Sequence, residues 1–255
     1  MSHEVKFTGE RLHAGDKLFS IDLARHEAAY KIAEARLPAG RVLDLGCGSG
    51  YGAAALASHH TPLVGLDRIR PDAANRGAAS FVRADLRGIP LRAESFELIA
   101  SFQVIEHLDD PAPYLEAIAG LLAPGAIALI TTPNIRMSDG VNPYHVHEYH
   151  ADELSETLRP YFWEVVMQGI GASERVHEYL AARSARIRRI MRLDPLGLRN
   201  ALPRSLVEWL FARFALLVRR NTARDDGAPD ATWRDFPIGP ADARCLDLLA
   251  VCTKR

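Results

Sequence analysis

The sequence predicts an α/β protein built on an open, mainly parallel sheet, and three observations lead there. The first is Arg41 to Gly52, RVLDLGCGSGYG, where a short apolar run breaks into a glycine-rich turn and then starts a helix. Gly46, Gly48 and Gly50 let the backbone turn tightly and approach a ligand, as at the carboxyl end of the first strand of open α/β sheets. The second is the regular alternation that follows: apolar runs of strand length separated by helical stretches, which implies right-handed crossovers and parallel pairing. The third is the position of the acids. Asp67 and Asp85 end their runs and Asp44 lies two residues before the first glycine, so all fall on the edge where such sheets bind ligands.

Composition bounds the rest. The chain has 255 residues, enough for one generous domain or one domain plus an insertion, with 48% hydrophobic and 25% charged residues, ordinary for a globular protein. A formal net charge of −1 gives no overall argument for nucleic acid. Cys47, Cys245 and Cys252 form no C-x-x-C pair, which suits a reducing, cytoplasmic setting. No signal peptide and no apolar run of about 18 residues is seen, so no membrane span is expected.

Taken in order, Met1 to Ser20 is polar and carries FTGER at Phe7–Arg11. Ile21 to Leu37 reads as a helix, with Leu23, Ala24, Tyr30, Ala33 and Leu37 at helical spacing and Pro38-Ala39-Gly40 as the stop. It either only packs on the sheet or also brings Glu10, His26 and Tyr30 to the mouth of the ligand site. In the glycine loop a dinucleotide fingerprint would need a third glycine at position 51, which is Tyr51. Asp44 beside the loop would repel a pyrophosphate, but suits a ligand with an ammonium group and no phosphate. Tyr51 to His59 is an alanine-rich helix. The second strand, from Pro62, ends in Asp67, placed about 20 residues past the loop to accept from ribose hydroxyls. Phe81 to Ala84 is a third strand, followed by Asp85-Leu86. Phe96 to Phe102 is a fourth, running into Gln103-Val-Ile-Glu-His-Leu, and a helix follows over Pro111 to Leu122. Gly125 to Thr132 is a fifth strand, Phe162 to Gly169 a sixth and Cys245 to Thr253 a seventh.

With an acid followed by G-x-G-x-G, the sequence resembles the class I S-adenosylmethionine-dependent methyltransferases. That resemblance implies a Rossmann-like seven-stranded sheet whose last two strands form the antiparallel end, with S-adenosyl-L-methionine as cofactor. It implies that Asp44, Gly46, Cys47, Gly48, Gly50 and Gln103 line the cofactor, that Asp67 holds the ribose, that Asp85 sits beside the adenine amino group and that Leu86 packs on the ring. The segments TGER, SFQVIEHL, TTPN and Asn142-Pro-Tyr-His-Val narrow the resemblance to bacterial methyltransferases of glycans and sugars, over roughly residues 7–170 and 245–255. Gln103 departs from the pattern, where glutamate is expected. The function implied is O-methylation of a sugar or glycan hydroxyl; quinone or secondary-metabolite methylation and a non-catalytic cofactor-binding scaffold are the alternatives. A base-amino methyltransferase would carry [D/N]-P-P-[Y/F] where this chain has Gln103-Val-Ile-Glu, so no specific nucleic-acid partner is expected.

An acceptor hydroxyl needs a base, and histidine suits neutral pH. His145 is the first choice, on the loop after strand five, with His107, His147, His150, Glu148 and Glu106 as the other candidates. His145 and His147 share a face of an extended segment, yet no remote Cys or acid cluster completes a ligand set, so no metal is expected.

The domain reading is an N-terminal segment over residues 1–40, a core over 41–170, an arginine-rich helical insertion over 171–244 between strands six and seven, and a final core strand over 245–255. Between Ala172 and Arg220 there are eleven arginines and four acids, and the apolar residues follow two helical stripes. Three readings of residues 171–220 stay open: a solvated cap, a cap that binds an anionic or lipid-linked acceptor or a membrane surface, and a homodimer contact through Trp209, Phe211 and Phe214, compatible with either of the first two.

Overall fold

The computed structural model describes residues 19–57, 62–76, 79–191, 204–222, 224 and 227–255. Its strands are β1 (Val42–Leu45), β2 (Leu63–Asp67), β3 (Ser80–Arg83), β4 (Phe96–Phe102), β5 (Leu122–Pro133), β6 (Glu164–Ile170), β7 (Ile238–Gly239) and β8 (Asp247–Thr253). Its helices are α1 (Ser20–Glu34), α2 (Tyr51–Ala57), α3 (Ala112–Leu121), α4 (Ala151–Leu158), α5 (Glu174–Met191) and α6 (Arg204–Thr222).

One sheet has the order β3-β2-β1-β4-β5-β8-β6-β7, with β1 to β5 paired in parallel. β8 lies antiparallel to both β5 and β6, so β6 itself runs with the first five strands. The expected antiparallel end is therefore confined to β8 and the two-residue β7, which pairs with β6 at Gly169 and Ile170. β6 follows β5 through α4, an ordinary crossover that keeps direction, whereas β8 returns from the insertion and enters from the opposite end. β7 is an eighth strand, too short for its alternation to be read in sequence.

The apolar strands are central because they must be covered on both faces. Every residue of β1 is buried, and in β4 only Glu97 is exposed. One face is covered by α1, α2 and α5 through Ala28, Leu56 and Tyr179, the other by α3 and α4 through Leu115, Ile118, Leu154 and Leu158. α1 ends at Glu34 rather than Leu37: Arg36 and Leu37 donate to the carbonyls of Ala33 and Glu34 in tighter turns, since a residue before proline is disfavoured in α geometry. α2 ends at Ala57, and its expected continuation to His59 lies outside the described residues, as do Glu10 and the FTGER segment. Among the described residues no helix is long and apolar enough to cross a membrane.

Candidate active site

At the carboxyl edge, the ends of β1 and β2 bring together the glycine loop and two of the acids expected to hold the cofactor. Gly46 N and Cys47 N both donate to Leu66 O, at 2.8 and 3.2 Å, which pins the glycine loop to β2. Gly48 has φ +53°, and a Cβ there would meet nothing within 4 Å, so the backbone borders open space. Its N–H donates to Asp67 Oδ2 at 2.9 Å, while Asp67 Oδ1 accepts from Ile69 N at 3.0 Å. The Asp67 carboxylate is thus fixed against the glycine loop by two backbone N–H groups. Asp44 is buried, and the Tyr30 hydroxyl donates to its two oxygens at 3.3 and 3.2 Å. Tyr30 reaches it because Gly52 has no side chain: a Cβ there would lie 1.9 Å from the Tyr30 ring. Burial pushes the Asp44 carboxyl up to about 7, against the Tyr30 hydrogen bond that lowers it.

The remaining cofactor candidates are placed less uniformly. The Cys47 side chain is buried in the core and burial holds its thiol well above the usual range, so this residue serves the loop through its backbone. Asp85 is exposed and gripped by Arg87 through Nε, Nη2 and the backbone N, which holds its carboxyl well below the usual range. Leu86 is partly buried against the core beside it. Gln103 closes β4 with φ +57°, a left-handed conformation that a non-glycine residue adopts only when its surroundings impose it. Its Nε2 donates to Asp247 Oδ1 at 3.0 Å and to Thr131 Oγ1 at 3.4 Å.

Asp247, at the start of β8, is also held in a two-pronged pair by Arg25 of α1, whose Nη2 donates to Leu246 O as well. Sequence reasoning missed this Arg25–Asp247–Gln103 unit; the available signal was an acid inside the apolar run CLDLLAV. Next to it lies a cavity of about 420 Å³ between the core and the cap formed by α5 and α6. Arg25, Arg136, Arg183, Arg188 and Arg219 line it against Asp22, Asp139 and Glu148. Arg183 and Arg219 both grip Asp22 of α1. Desolvation alone would raise the Asp22 carboxyl, but Arg183, Arg219 and Arg25 outweigh it and hold it well below the usual range. These two cap arginines therefore fasten the cap to the core, so they are not among the charges available to a surface or an acceptor. Among the described residues, no carboxylate pairs with Arg136 or Arg188. His26 lines this cavity, and burial pushes its pKa down to about 4. The side chains of Trp209 and Phe211 lie outside the described residues.

His145 and Glu148 also line the cavity. His145 Nδ1 lies 2.6 Å from Glu148 Oε1, which also accepts from Ser138 Oγ at 2.8 Å. Burial alone would raise the Glu148 carboxyl, but the His145 and Ser138 hydrogen bonds bring it below its ordinary value. The His107 ring stands edge-on to His145, with centroids 5.2 Å apart. His147 turns away to Glu153, and His150 caps α4, its N–H donating to Glu153.

A parallel sheet with an acid-flanked G-x-G-x-G loop that carries no third phosphate-fingerprint glycine, and a second acid at the next strand end, defines the class I methyltransferase architecture. Residues 22–170 match the model of a methyltransferase domain family, and the chain belongs to that family of S-adenosylmethionine-dependent methyltransferases. It is 36% identical over 185 residues to a probable S-adenosylmethionine-dependent methyltransferase of Mycolicibacterium smegmatis, covering 67% of this chain and 72% of the relative. A Hahella chejuensis ubiquinone biosynthesis O-methyltransferase is 34% identical over 109 residues, 39% of this chain and 46% of the relative. Among solved structures, a Thermotoga maritima methyltransferase described as a possible histamine N-methyltransferase superposes with TM-score 0.59 at 13% identity, over 94% of both chains, a likeness of fold.

Proposed function

We propose that this enzyme transfers a methyl group from S-adenosylmethionine to the hydroxyl oxygen of a polar, anionic acceptor of the sugar or glycan type, with His145 as the base. The observation that carries this reading is the His145–Glu148 pair on the wall of a cavity whose lining is rich in arginine. Such a wall suits a hydroxylated acceptor bearing a carboxylate or phosphate, and suits an apolar quinone poorly.

S-adenosylmethionine, when bound, supplies an electrophilic methyl on a sulfonium. Asp67 offers the ribose two acceptor oxygens, and the ionised Asp44 favours the positive charge of the ligand. Glu148 accepts from Nδ1–H of His145, which puts the ring's lone pair on Nε2, the atom assigned here to take the acceptor proton as the oxygen–carbon bond forms. No covalent enzyme intermediate is needed, so the protein contributes positioning and proton removal. The same arginine excess supports an acceptor presented at an anionic surface. On α6, Leu206, Leu210 and Leu217 are exposed, at spacings that put them along one side of the helix.

The test has two parts. Labelled S-adenosylmethionine with fractionated host lysate identifies the acceptor pool. On that acceptor, His145→Ala lowers kcat by roughly 10²–10⁴-fold, abolishes the low-pH limb of the rate profile and leaves S-adenosylhomocysteine affinity unchanged. Near-normal turnover would take the base assignment off His145.

A further inference from the structure

Three side chains of metal-ligand type from two distant stretches meet, and one of them, His145, lines the cavity. Glu106 and His107 leave β4 in a single turn of 3₁₀ helix, Ile105–His107, and His145 arrives on the loop after β5. One ligand atom from each lies within 4.8 Å of the other two. Backbone pairing sets this meeting: Val146 N and His147 N both donate to Glu106 O, at 2.7 and 3.2 Å. The loop cannot leave without breaking those bonds.

Glu106 supplies an independent pointer to a ligand. Its side chain is fully buried, and Thr132 Oγ1 donates to Oε2 at 3.1 Å. Oε1 has no hydrogen-bond partner among the described residues. A buried carboxylate oxygen left without a partner is costly, and a cation removes that cost.

Both imidazoles are also oriented as ligands. His107 Nδ1 lies 2.9 Å from Tyr144 O, and a carbonyl can only accept, so Nδ1 carries the proton and Nε2 the lone pair. The His145 Nδ1 contact with Glu148 sets the same tautomer. A backbone carbonyl and a carboxylate are the outer partners that fix metal-bound histidines in this way. His147 does not join them, since its Nε2 lies 2.6 Å from Glu153 Oε1.

We propose that Glu106, His107 and His145 bind a divalent transition-metal cation of the Mn²⁺ or Zn²⁺ type. One carboxylate and two imidazoles are the donor set such ions take, and three protein ligands leave coordination positions open. The site stands on these contacts alone. Its link to chemistry rests on the hydroxyl-acceptor reading: a cation here would hold the acceptor oxygen and make its proton more acidic, releasing it to solvent. His145 Nε2 would then be a ligand and no longer the base, so the two roles are alternatives at one nitrogen.

The experiment uses the full chain, stripped with chelator, without methyl donor or acceptor, so an error in the acceptor reading leaves it untouched. Mn²⁺ is titrated and followed by electron paramagnetic resonance; Zn²⁺ is counted by elemental analysis after gel filtration. About one equivalent is expected for the wild type. His107→Ala and Glu106→Gln should each weaken binding at least tenfold while S-adenosylhomocysteine still binds, which reports an intact fold. His147→Ala should bind metal as the wild type does. Absence of stoichiometric binding to the wild type overturns the proposal. So does binding that survives both His107→Ala and Glu106→Gln, or that His147→Ala removes.

Discussion

The proposed donor and acceptor sides of the carboxyl edge are assembled differently. On the donor side the loop, Asp44 and Asp67 come from two adjacent parallel strands and are tied by short backbone contacts, Gly46 and Cys47 to Leu66 and Gly48 to Asp67. On the acceptor side, Asp22 and Arg25 come from α1, Gln103 from the end of β4, His145 and Glu148 from the loop after β5, Arg183 and Arg219 from the cap, and Asp247 from β8. A compact local device can bind one ligand regardless of what surrounds it, whereas a cavity made from five places changes whenever the insertion changes. The methyl donor is accordingly readable at the level of the family, whereas the proposed acceptor cavity is walled in part by this chain's own α5 and α6.

The comparison predicts separable defects. The largest is expected at Asp67. Asp67→Ala removes the acceptor for Gly48 N and the paired contact proposed for the ribose, and should weaken S-adenosylhomocysteine binding by roughly 1.5–3 kcal/mol in calorimetry. Unchanged affinity would remove Asp67 from the ribose.

A smaller effect follows from Asp44. Burial holds its carboxyl up at about 7, while the ligand's positive charge favours the ionised form. Affinity for S-adenosylmethionine should therefore fall about tenfold between pH 8 and pH 6, and Asp44→Asn should flatten that profile. Stability of the ligand-free protein carries the opposite sign. Between the unfolded carboxyl value of about 3.9 and the folded value the native state binds more protons, so this contribution declines as pH rises through that window. Thermal melts of Asp44→Asn against wild type across the window check it; parallel curves would contradict the raised value.

The smallest effect should fall on the acceptor alone. Replacing Arg136 and Arg188 together by glutamine should raise KM for a negatively charged acceptor about three- to tenfold and leave S-adenosylhomocysteine affinity as it was. An equal loss on both ligands would erase the distinction between the two sides. Arg183 and Arg219 are unsuitable for this test because they hold Asp22, and their loss would loosen the cap.

Residues whose partners lie nearby in sequence were legible. The glycine loop, the strand ends at Asp67 and Asp85 and the helix stops around Pro38 and Pro111 follow from backbone preferences and apolar periodicity. His145 and Glu148 were also picked out, three residues apart on one loop. The grouping of Glu106 and His107 with His145 is not legible, because the histidine-rich loop by itself points to no remote acid and Glu106 lies in the 3₁₀ turn before α3. Nor was the division of the arginines, since Arg183 and Arg219 look no different in sequence from Arg188.

By itself the sequence determined the class of fold, the glycine loop and the acids that flank it, because a tight turn, a strand end and a burial pattern are each encoded within a few residues. Only the tertiary structure decided what stands around the cavity. The Arg25–Asp247 pair joins residues 222 positions apart, and Gln103 reaches Asp247 across 144. Those contacts exist because β8 inserts between β5 and β6, and strand order is settled by how all the apolar faces are covered at once, which no local stretch of this chain specifies.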